Sequence, residues 1–376
     1  MSLLYDMIFD YTLRNVALGT FLLGLGSGAI GSFMTLRGQS LIGDAIAHAT
    51  LPGVAIAYLL TGTKDPSFLL IGAAIAGVLG IGAITVIVRT TKIDNDGANG
   101  IILSIFFGLG LLLLTYIQKL PKSSQAGLDR FIFGQAATIV AKDVVIIAVV
   151  QVLVLVTLVL FFKELKSSTF DPQSTTVMGF DRKIIDIIFA TLLVATIVVG
   201  LQTVGVILIS ALLVAPAAAA RQWTHSLKTM VILSSLFSGI AGMVGSLISA
   251  SGMNLPTGPM IVLVLTAVTI FSFLLGAKRG IVVRKIGQLK RHRSFDQTRI
   301  LLALDNLAQS HPDSITYHSS QTIGMMVQNS HGIKRLLKQL TINGLVLVDE
   351  ESNYILSSLG EEYVESLKKE EGLYAG

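Results

Sequence analysis

The chain has 376 residues, of which 52% are hydrophobic and only 14% are charged, and its formal net charge is +5. About a quarter of the residues of a soluble globular protein are charged, so this composition excludes an ordinary soluble enzyme and a disordered regulator. The chain has no cysteine, which excludes a disulfide scaffold, thiolate metal sites and thiol nucleophiles.

Apolar segments long enough to cross a bilayer, about 20 residues each, occur only in the first part of the chain. They predict eight to nine membrane helices, near 15–36, 45–62, 68–88, 99–118, 143–162, 184–200, 203–220, 229–250 and 258–276. The apolar stretch from 184 to 220 is nearly continuous, and its predicted break is the Gly-Leu-Gln-Thr step at 200–203. Residues 131–142 are apolar but too short to span, which is typical of a re-entrant segment.

Charge divides the chain into two parts. Residues 1–293 carry 22 Lys and Arg against 12 Asp and Glu, whereas residues 294–376 carry 6 against 11. Seven basic residues crowd between 278 and 293, and basic residues beside a span mark its cytoplasmic end. Counting spans backwards puts Arg89, Arg182 and Arg221 on the same side. We therefore expect an all-α polytopic membrane domain over 1–293 and a small cytoplasmic α/β domain over 294–376.

Asp44 and His48 form the one clear cluster of ionisable residues inside a predicted span, within the segment GDAIAHATLPG. Ionisable side chains in a span are costly and are functional candidates for that reason. A spacing of four residues puts both on one helix face, with their Cβ atoms about 5–6 Å apart. A carboxylate oxygen and an imidazole nitrogen together suit a divalent cation such as Mn²⁺, Fe²⁺ or Zn²⁺.

The neighbouring residues leave two interpretations of this pair open. Small side chains at 45, 47 and 49 would keep the backbone accessible, and Pro52 would loosen the helix by freeing a carbonyl. Alternatively, Asp44 only stabilises the amino end of its helix. Two residues also make an incomplete coordination shell, which suits a transported ion because the ion must leave as readily as it enters.

A second informative stretch is a helix of small residues from Thr203 to Ala220, a composition that lets membrane helices pack closely. A short amphipathic loop follows it. The loop consists of Arg221, Gln222, Trp223, Thr224, His225, Ser226, Leu227 and Lys228. The sequence leaves two interpretations open. Trp223 between basic residues is typical of an interfacial anchor, whereas the segment could also be a docking helix that receives force from a soluble partner.

Two general motifs were also considered. No GxxxxGK[ST] phosphate loop occurs, so the chain does not bind ATP in the P-loop manner. GxxxG-like spacings, from Gly24 to Gly28 and from Gly72 to Gly80, are typical of close helix packing. They are weak signals in a chain with 36 glycines.

Five segments, in order, carry a resemblance to a known family. They are LIGDAIAHATLPGVAIAYLL (41–60), GLDRFIFGQAATIVAKDV (127–144), FDPQSTTVMGFD (170–181), TVGVILISALLVAPAAAARQWT (203–224) and LPTGPMIVLV (255–264). Together they resemble the membrane subunit, or permease, of ABC importers for manganese, zinc or iron. The LPG and GLDRFIFGQ motifs resemble those of the manganese-type members more closely than those of dedicated zinc permeases. This resemblance favours manganese as the cargo.

The resemblance implies roles for both stretches. It assigns Asp44 and His48 to the metal pathway and residues 221–228 to the contact with the ATPase subunit. ATP hydrolysis would then occur on a separate subunit, so the chain would be no enzyme and would hold no permanent cofactor. The implied partners are a cytoplasmic ABC ATPase subunit, an extracytoplasmic metal-binding protein, a second permease copy or paralogue, and the lipid of the plasma membrane.

Residues 294–370 predict three helices followed by a β-ribbon. Helical spacing covers Phe295–Ser310, Gln321–Gln328 and Gly332–Leu340, and two short strands flank the turn at 350–353. This order resembles a winged helix-turn-helix, and the closing segment LSSLGEEYVESLKK resembles the one that follows the wing in metal-responsive repressors.

A winged helix does not define a function by itself. Lys334, Arg335 and Lys338 line the predicted recognition helix, but the domain is acidic overall, with 6 basic against 11 acidic residues. DNA-binding domains usually carry a basic stripe, so we expect a regulatory or protein-contact role and not DNA as a partner. Histidines at 311, 318 and 331 are either solvated or part of a metal sensor.

Two other classes of function were weighed against a permease. A membrane-tethered, metal-responsive transcriptional regulator is disfavoured by eight or nine spans, which are far more than a tether needs. An intramembrane metal-dependent hydrolase is disfavoured because one His and one Asp leave no HExxH-type zinc set and no obvious base.

Overall fold

The computed structural model describes residues 11–63, 65–119, 139–250, 255–310, 317–327 and 333–374. The chain divides into two compact units, of which the first ends at Ile281 and the second begins at Val282. This division lies upstream of the boundary expected at 293, at the start of a long helix. Each unit has a hydrophobic core of its own.

The described part of the first unit is helical throughout. Its helices are α1 (Tyr11–Leu36), α2 (Ile42–Thr61), α3 (Pro66–Thr90), α4 (Asn95–Gln118), α5 (Ala141–Leu160), α6 (Phe162–Phe170), α7 (Pro172–Val177), α8 (Arg182–Val204), α9 (Val206–Ala220), α10 (Leu227–Ala250) and α11 (Thr257–Leu275). Eight of the described helices, all but α6, α7 and α9, are long and apolar enough to cross a membrane. This confirms the polytopic class. Most of the predicted re-entrant segment at 131–142 lies outside the described residues.

Aspartates precede three of the membrane helices and satisfy amide groups that have no partner within the helix. The carboxylate of Asp65 accepts from the Ser67 amide at 3.0 Å before α3, and that of Asp94 accepts from the Gly97 amide at 2.9 Å before α4. Asp181 caps α8 in the same way. The hydrogen bond from the Ser67 amide lowers the pKa of Asp65 below its ordinary value.

The break in the long apolar stretch falls at Gly205, so the break predicted at 200–203 is wrong. Gly205 has a φ of +83°, in the left-handed region that residues with a Cβ rarely adopt. Residues 200–203 stay in α8, and the Gly205 amide still donates to the Leu201 carbonyl at 3.1 Å. The following helix, α9, has 15 residues and is shorter than a full span.

Helices α1 and α10 pack with their backbones in direct contact. A Cβ on Gly24 would lie 2.6 Å from the carbonyl carbon of Ser238, and a Cβ on Gly28 would overlap the carbonyl oxygen of Ser234. Gly31, farther along α1, faces the Leu213 carbonyl of α9 in the same way. The weak GxxxG signal at 24 and 28 therefore marks a real helix contact.

Serines of α10 satisfy backbone carbonyls at this contact. The Ser234 hydroxyl donates to the Gly28 carbonyl of α1 at 2.7 Å. Pro216 in α9 has no amide to donate to the Leu212 carbonyl four residues earlier, and the Ser238 hydroxyl donates to that carbonyl at 3.3 Å. These bonds matter in a membrane because no water there can replace them.

The second unit combines helices with a small sheet. Its elements are α12 (Ile281–Gln309), β1 (His318–Ser319), α13 (Ser320–Val327), α14 (Ile333–Ile342), β2 (Val346–Val348), β3 (Asn353–Leu356) and α15 (Ser358–Tyr374). The strands form an antiparallel sheet in the order β1-β3-β2, with Val348 opposite Tyr354. The three helices and two strands expected here are present, whereas β1 was not expected. Of the three candidate sensor histidines, those at 311 and 331 lie outside the described residues.

The turn between β2 and β3 is held by one carboxylate. Asp349 Oδ1 accepts from the amides of Glu351 and Asn353 at 2.9 and 2.8 Å. The bond from the Asn353 amide lowers the pKa of Asp349 below its ordinary value, because it stabilises the ionised form.

The contact between α1 and α10 leads to a stability prediction. We expect Gly28→Val to lower the free energy of unfolding by more than 1 kcal/mol, since overpacking typically costs about 1–3 kcal/mol and rigid backbone faces this position. Thermal unfolding of the detergent-purified protein, followed by size-exclusion chromatography, measures the change. Gly108→Val is the control, because a Cβ there meets nothing within 4 Å. Equal stability of the two variants would contradict the close contact.

Candidate functional site

Asp44 and His48 lie on one face of α2, one turn apart. Asp44 belongs to the first turn of the helix, and His48 follows in the second. The His48 Nε2 atom lies 3.6 Å from Asp44 Oδ1. The side chains are partly exposed, His48 to 15% and Asp44 to 36%. The spacing therefore brings the two groups together as the sequence predicts.

Packing fixes the orientation of the imidazole. The His48 ring meets the Phe107 ring of α4 edge to face, with centroids 4.8 Å apart and planes at 79°. Its Nδ1 atom is buried and has no hydrogen-bond partner among the described residues. The described part of the chain contains no group of three or more His, Asp or Glu side chains that could hold a metal ion. The pair thus offers one carboxylate and one imidazole nitrogen.

The residues around the pair differ from expectation in one respect. Ala45, Ala47 and Ala49 are fully buried, so the prediction that they keep the backbone accessible is wrong. Their small side chains instead let neighbouring helices approach, as a Cβ on Gly80 of α3 would lie 2.9 Å from the Ala49 Cβ. The helix continues through Pro52, whose missing amide leaves the carbonyl of residue 48 without its usual partner within the helix.

The loop at 221–228 is a compact turn between α9 and α10. The Gln222 carbonyl accepts from the amides of Lys278 and Arg279, both at 3.1 Å, which ties the loop to the end of α11. The Thr224 hydroxyl accepts from the Ser226 amide at 3.0 Å, and Leu227 is buried as the first residue of α10. The exposed members of the loop are Arg221, His225, Ser226 and Lys228.

The loop does not form the expected docking helix, because none of residues 221–226 is helical. Trp223 stacks on Phe271 of α11, with ring centroids 6.3 Å apart and planes at 22°. The exposed surface of the loop is therefore carried by the polar residues on either side of Trp223. Among them, His225 and Ser226 lie at the tip.

One charged site was not predicted from the sequence. Arg37, directly after α1, donates to Asp186 Oδ1 of α8 at 3.1 Å, and its guanidinium lies 4.4 Å from the centre of the Phe189 ring. Arg182 lies 3.6 Å from the other oxygen of the same carboxylate. The only sequence signal for this site is the presence of basic residues at the ends of several spans.

Comparisons with known proteins extend these observations. A family model described as the ABC 3 transport family matches residues 9–276. The zinc transport system membrane protein TroC of Treponema pallidum (strain Nichols) is 53% identical over 282 residues, which are 75% of this chain and 95% of that protein. The manganese transport system membrane protein MntC of Bacillus subtilis (strain 168) is 44% identical over 289 residues, 77% of this chain and 66% of that protein.

A solved structure is also similar to this chain. It is titled PsaBC from Streptococcus pneumoniae in complex with Fab, and it is 34% identical with a TM-score of 0.65. The similarity covers 74% of this chain and 96% of that one. The family match extends from α1 to α11 and includes both the Asp44–His48 pair and the loop at 221–228. The chain therefore belongs to the ABC 3 transport family and is a multi-pass membrane permease subunit, not itself an enzyme.

Proposed function

We propose that this chain is the permease subunit of an ATP-driven importer that moves a divalent transition metal across the plasma membrane, with manganese as the cargo. Relatives named for manganese and for zinc transport support a transition metal. The Asp44–His48 pair is the observation that carries the proposal, because it offers a carboxylate oxygen and an imidazole nitrogen inside a membrane helix.

In this proposal, Asp44 and His48 are transient ligands of the moving ion. The contact with Phe107 fixes the orientation of the His48 ring, so Nε2, the nitrogen that faces Asp44, stays available to bind the ion. Two ligands bind an ion weakly, which favours release over storage. Further ligands would come from a second permease copy or paralogue, or from parts of the chain outside the described residues.

Loss of either ligand should stop transport. We expect Asp44→Ala and His48→Ala each to reduce uptake of radioactive manganese by at least tenfold, because one remaining ligand cannot replace the water lost by the ion. Uptake is measured in cells that lack other manganese importers, and the amount of inserted permease is measured alongside.

Asp65→Ala is the matched control, since Asp65 is an exposed carboxylate that only caps α3. Normal uptake by both pair variants would remove the pair from the pathway. Unlabelled zinc, iron and manganese can each be added to inhibit the uptake of radioactive manganese. If zinc or iron inhibits at a lower concentration than unlabelled manganese does, manganese is not the preferred cargo.

We also assign the loop at 221–228 to the contact with the ATPase subunit. Two bonds from the 278–279 amides to the Gln222 carbonyl and the stacking of Trp223 on Phe271 attach the loop to α11. A loop attached in this way can transmit a displacement of a soluble subunit to two spans, α10 and α11. Leu36 at the end of α1 packs in one cluster with Ala220, so this loop and residue 37 belong to the same membrane face.

Cysteine crosslinking tests this contact without background, because the chain has no cysteine. We expect His225→Cys and Ser226→Cys to crosslink to a cytoplasmic ATPase subunit in membranes, since both side chains are exposed at the tip of the loop. Ser67→Cys is the control, because Ser67 is exposed at the other end of the spans. We expect this cysteine to be labelled by an impermeant reagent added outside and not to crosslink to the ATPase subunit. Labelling of His225→Cys from outside would contradict both the contact and the cytoplasmic side.

The remaining partners follow from the importer function. An extracytoplasmic metal-binding protein would deliver the ion at the face opposite to the loop, and a second permease copy or paralogue would complete the pathway. The basic residues between 278 and 293 support a cytoplasmic position of the C-terminal part.

We propose that the second unit is a winged-helix-like domain that regulates transport. The order of α12, α13 and α14, followed by the β2–β3 ribbon, supports this interpretation. Helix α14 buries Ile333, Leu337 and Leu340 and exposes the basic residues at 334, 335 and 338. An exposed basic face suits an acidic partner surface as well as DNA, and the net negative charge of residues 294–376 favours a protein contact.

Removal of this unit should change regulation and leave transport intact. We expect a chain that ends at Arg293 to retain at least half of the manganese uptake, because the described residues after 293 add no span. Its response to metal preloading should be weaker than that of the full chain. Uptake across a range of preloading concentrations measures both effects.

Two outcomes would contradict this assignment. A stable truncated permease without transport would show that the unit is essential. A sequence-specific DNA footprint by the full chain at physiological salt would favour the membrane-tethered transcriptional regulator, since non-specific binding by an acidic domain is weak there.

A further inference from the structure

A basic cavity lies at one end of the membrane helices, where α3, α4, α6 and α8 meet the turn that follows α1. Its volume is about 320 Å³, within the range of roughly 300–1,000 Å³ in which proteins hold small ligands. Four charged side chains line it, namely Arg37, Arg89, Arg182 and Asp186. One carboxylate facing three guanidinium groups leaves an excess of positive charge.

The charges are unequally satisfied. Asp186 pairs with Arg37 through one oxygen and lies 3.6 Å from Arg182 through the other. Arg37 is nine-tenths buried, and it also donates to the Thr169 hydroxyl at 3.2 Å. Arg89, in contrast, is exposed and has no ion pair within the described part of the chain. No carboxylate of the described residues therefore neutralises the positive charge of Arg89.

The helix ends at the cavity favour an anion, and one buried amide beside them lacks a hydrogen bond. Asn95 and Asn99 come from the first two turns of α4, and Arg182 is the first residue of α8, so the amino ends of two helices lie at the cavity. Asn99 is 98% buried, and its Oδ1 atom has no hydrogen-bond partner among the described residues. That oxygen is an acceptor, so it does not attract a phosphate itself and suits a donor such as a hydroxyl of the head group.

The cavity opens into an apolar groove along α3 and α8. The groove has a volume of about 380 Å³ and shares Arg89 and Asp186 with the cavity. Beyond these residues its lining includes Lys183 and two threonines but is mostly apolar. Val78 and Ile187 belong to the apolar part and are 58% and 64% exposed. Gly82 leaves open space in its wall. A polar, basic end and an apolar continuation match a phosphate group that carries an acyl chain.

We propose that the cavity and groove bind one anionic phospholipid, with the phosphate beside Arg89 and Arg182 and an acyl chain along Val78, Gly82 and Ile187. Basic pockets between membrane helices are suited to anionic head groups. Residue 37 and the loop at 221–228 belong to the same membrane face, so the lipid belongs to the leaflet beside the ATPase-facing loop. Such a lipid would bridge the ends of α3 and α8.

Native mass spectrometry of the full-length permease in detergent tests the site directly. The protein is titrated with phosphatidylglycerol and, separately, with zwitterionic phosphatidylcholine. We expect one phosphatidylglycerol to bind more tightly than phosphatidylcholine, and Arg89→Gln to weaken it about fivefold, as expected for one basic contact to an anionic lipid. Lys92→Gln is the charge control, since Lys92 is exposed near the same helix ends but does not line the cavity.

A second pair of variants tests the apolar groove. Gly82→Leu fills the groove and should weaken phosphatidylglycerol binding, whereas Gly108→Leu, at another open position on a span, should not. Loss in Arg89→Gln and Gly82→Leu, but in neither control, supports the lipid site. Equal binding of both lipids, or no loss in Arg89→Gln, overturns it.

Two other occupants give distinct results. Displacement of phosphatidylglycerol by millimolar inorganic phosphate, together with unchanged binding by Gly82→Leu, would assign the cavity to a free anion and overturn the lipid. If Gly82→Leu instead converts a permease dimer to a monomer in light scattering, the groove is covered by a second copy, which also overturns the proposal.

Discussion

Direct backbone contact between α1 and α10 is the constraint on which the membrane unit depends. In a bilayer, apolar side chains gain little by leaving lipid for protein, so packing and hydrogen bonds must hold helices together. Gly24 and Gly28 let the two backbones touch, and Gly31 extends the contact to α9. Because α9 and α10 flank the loop at 221–228, the position of that loop follows from the glycine face of α1.

Close contact brings a requirement for hydrogen bonds that the serines of α10 meet. Ser234 bonds the Gly28 carbonyl, and Ser238 bonds the carbonyl that Pro216 leaves free. Pro216 is therefore tolerated in the short helix α9, because the Leu212 carbonyl keeps a hydrogen-bond donor. A second proline lies near the candidate metal ligands, where Pro52 follows His48 by four residues and α4 packs closely against it through Gly110.

Charged side chains are arranged differently at the two functional places. Within α2, Asp44 and His48 stand alone with one aromatic neighbour, an arrangement suited to weak and transient ligation. At the helix ends, arginines outnumber their one carboxylate, and the excess charge faces an apolar groove. The proposed cation ligands and the proposed anion site thus lie in one unit, and Ile42, which lines the cavity, is two residues before Asp44.

The sequence by itself determined the membrane class, the positions of the long spans and the pairing of Asp44 with His48, because hydropathy and i, i+4 spacing are local properties. It also predicted the helices and the ribbon of the second unit. Only the tertiary structure decided the break at Gly205, the burial of the alanines in α2 and the stacking of Trp223, because each depends on contacts between distant segments. The basic cavity belongs to the same group, since its arginines are 145 positions apart at the extremes and no local pattern connects them.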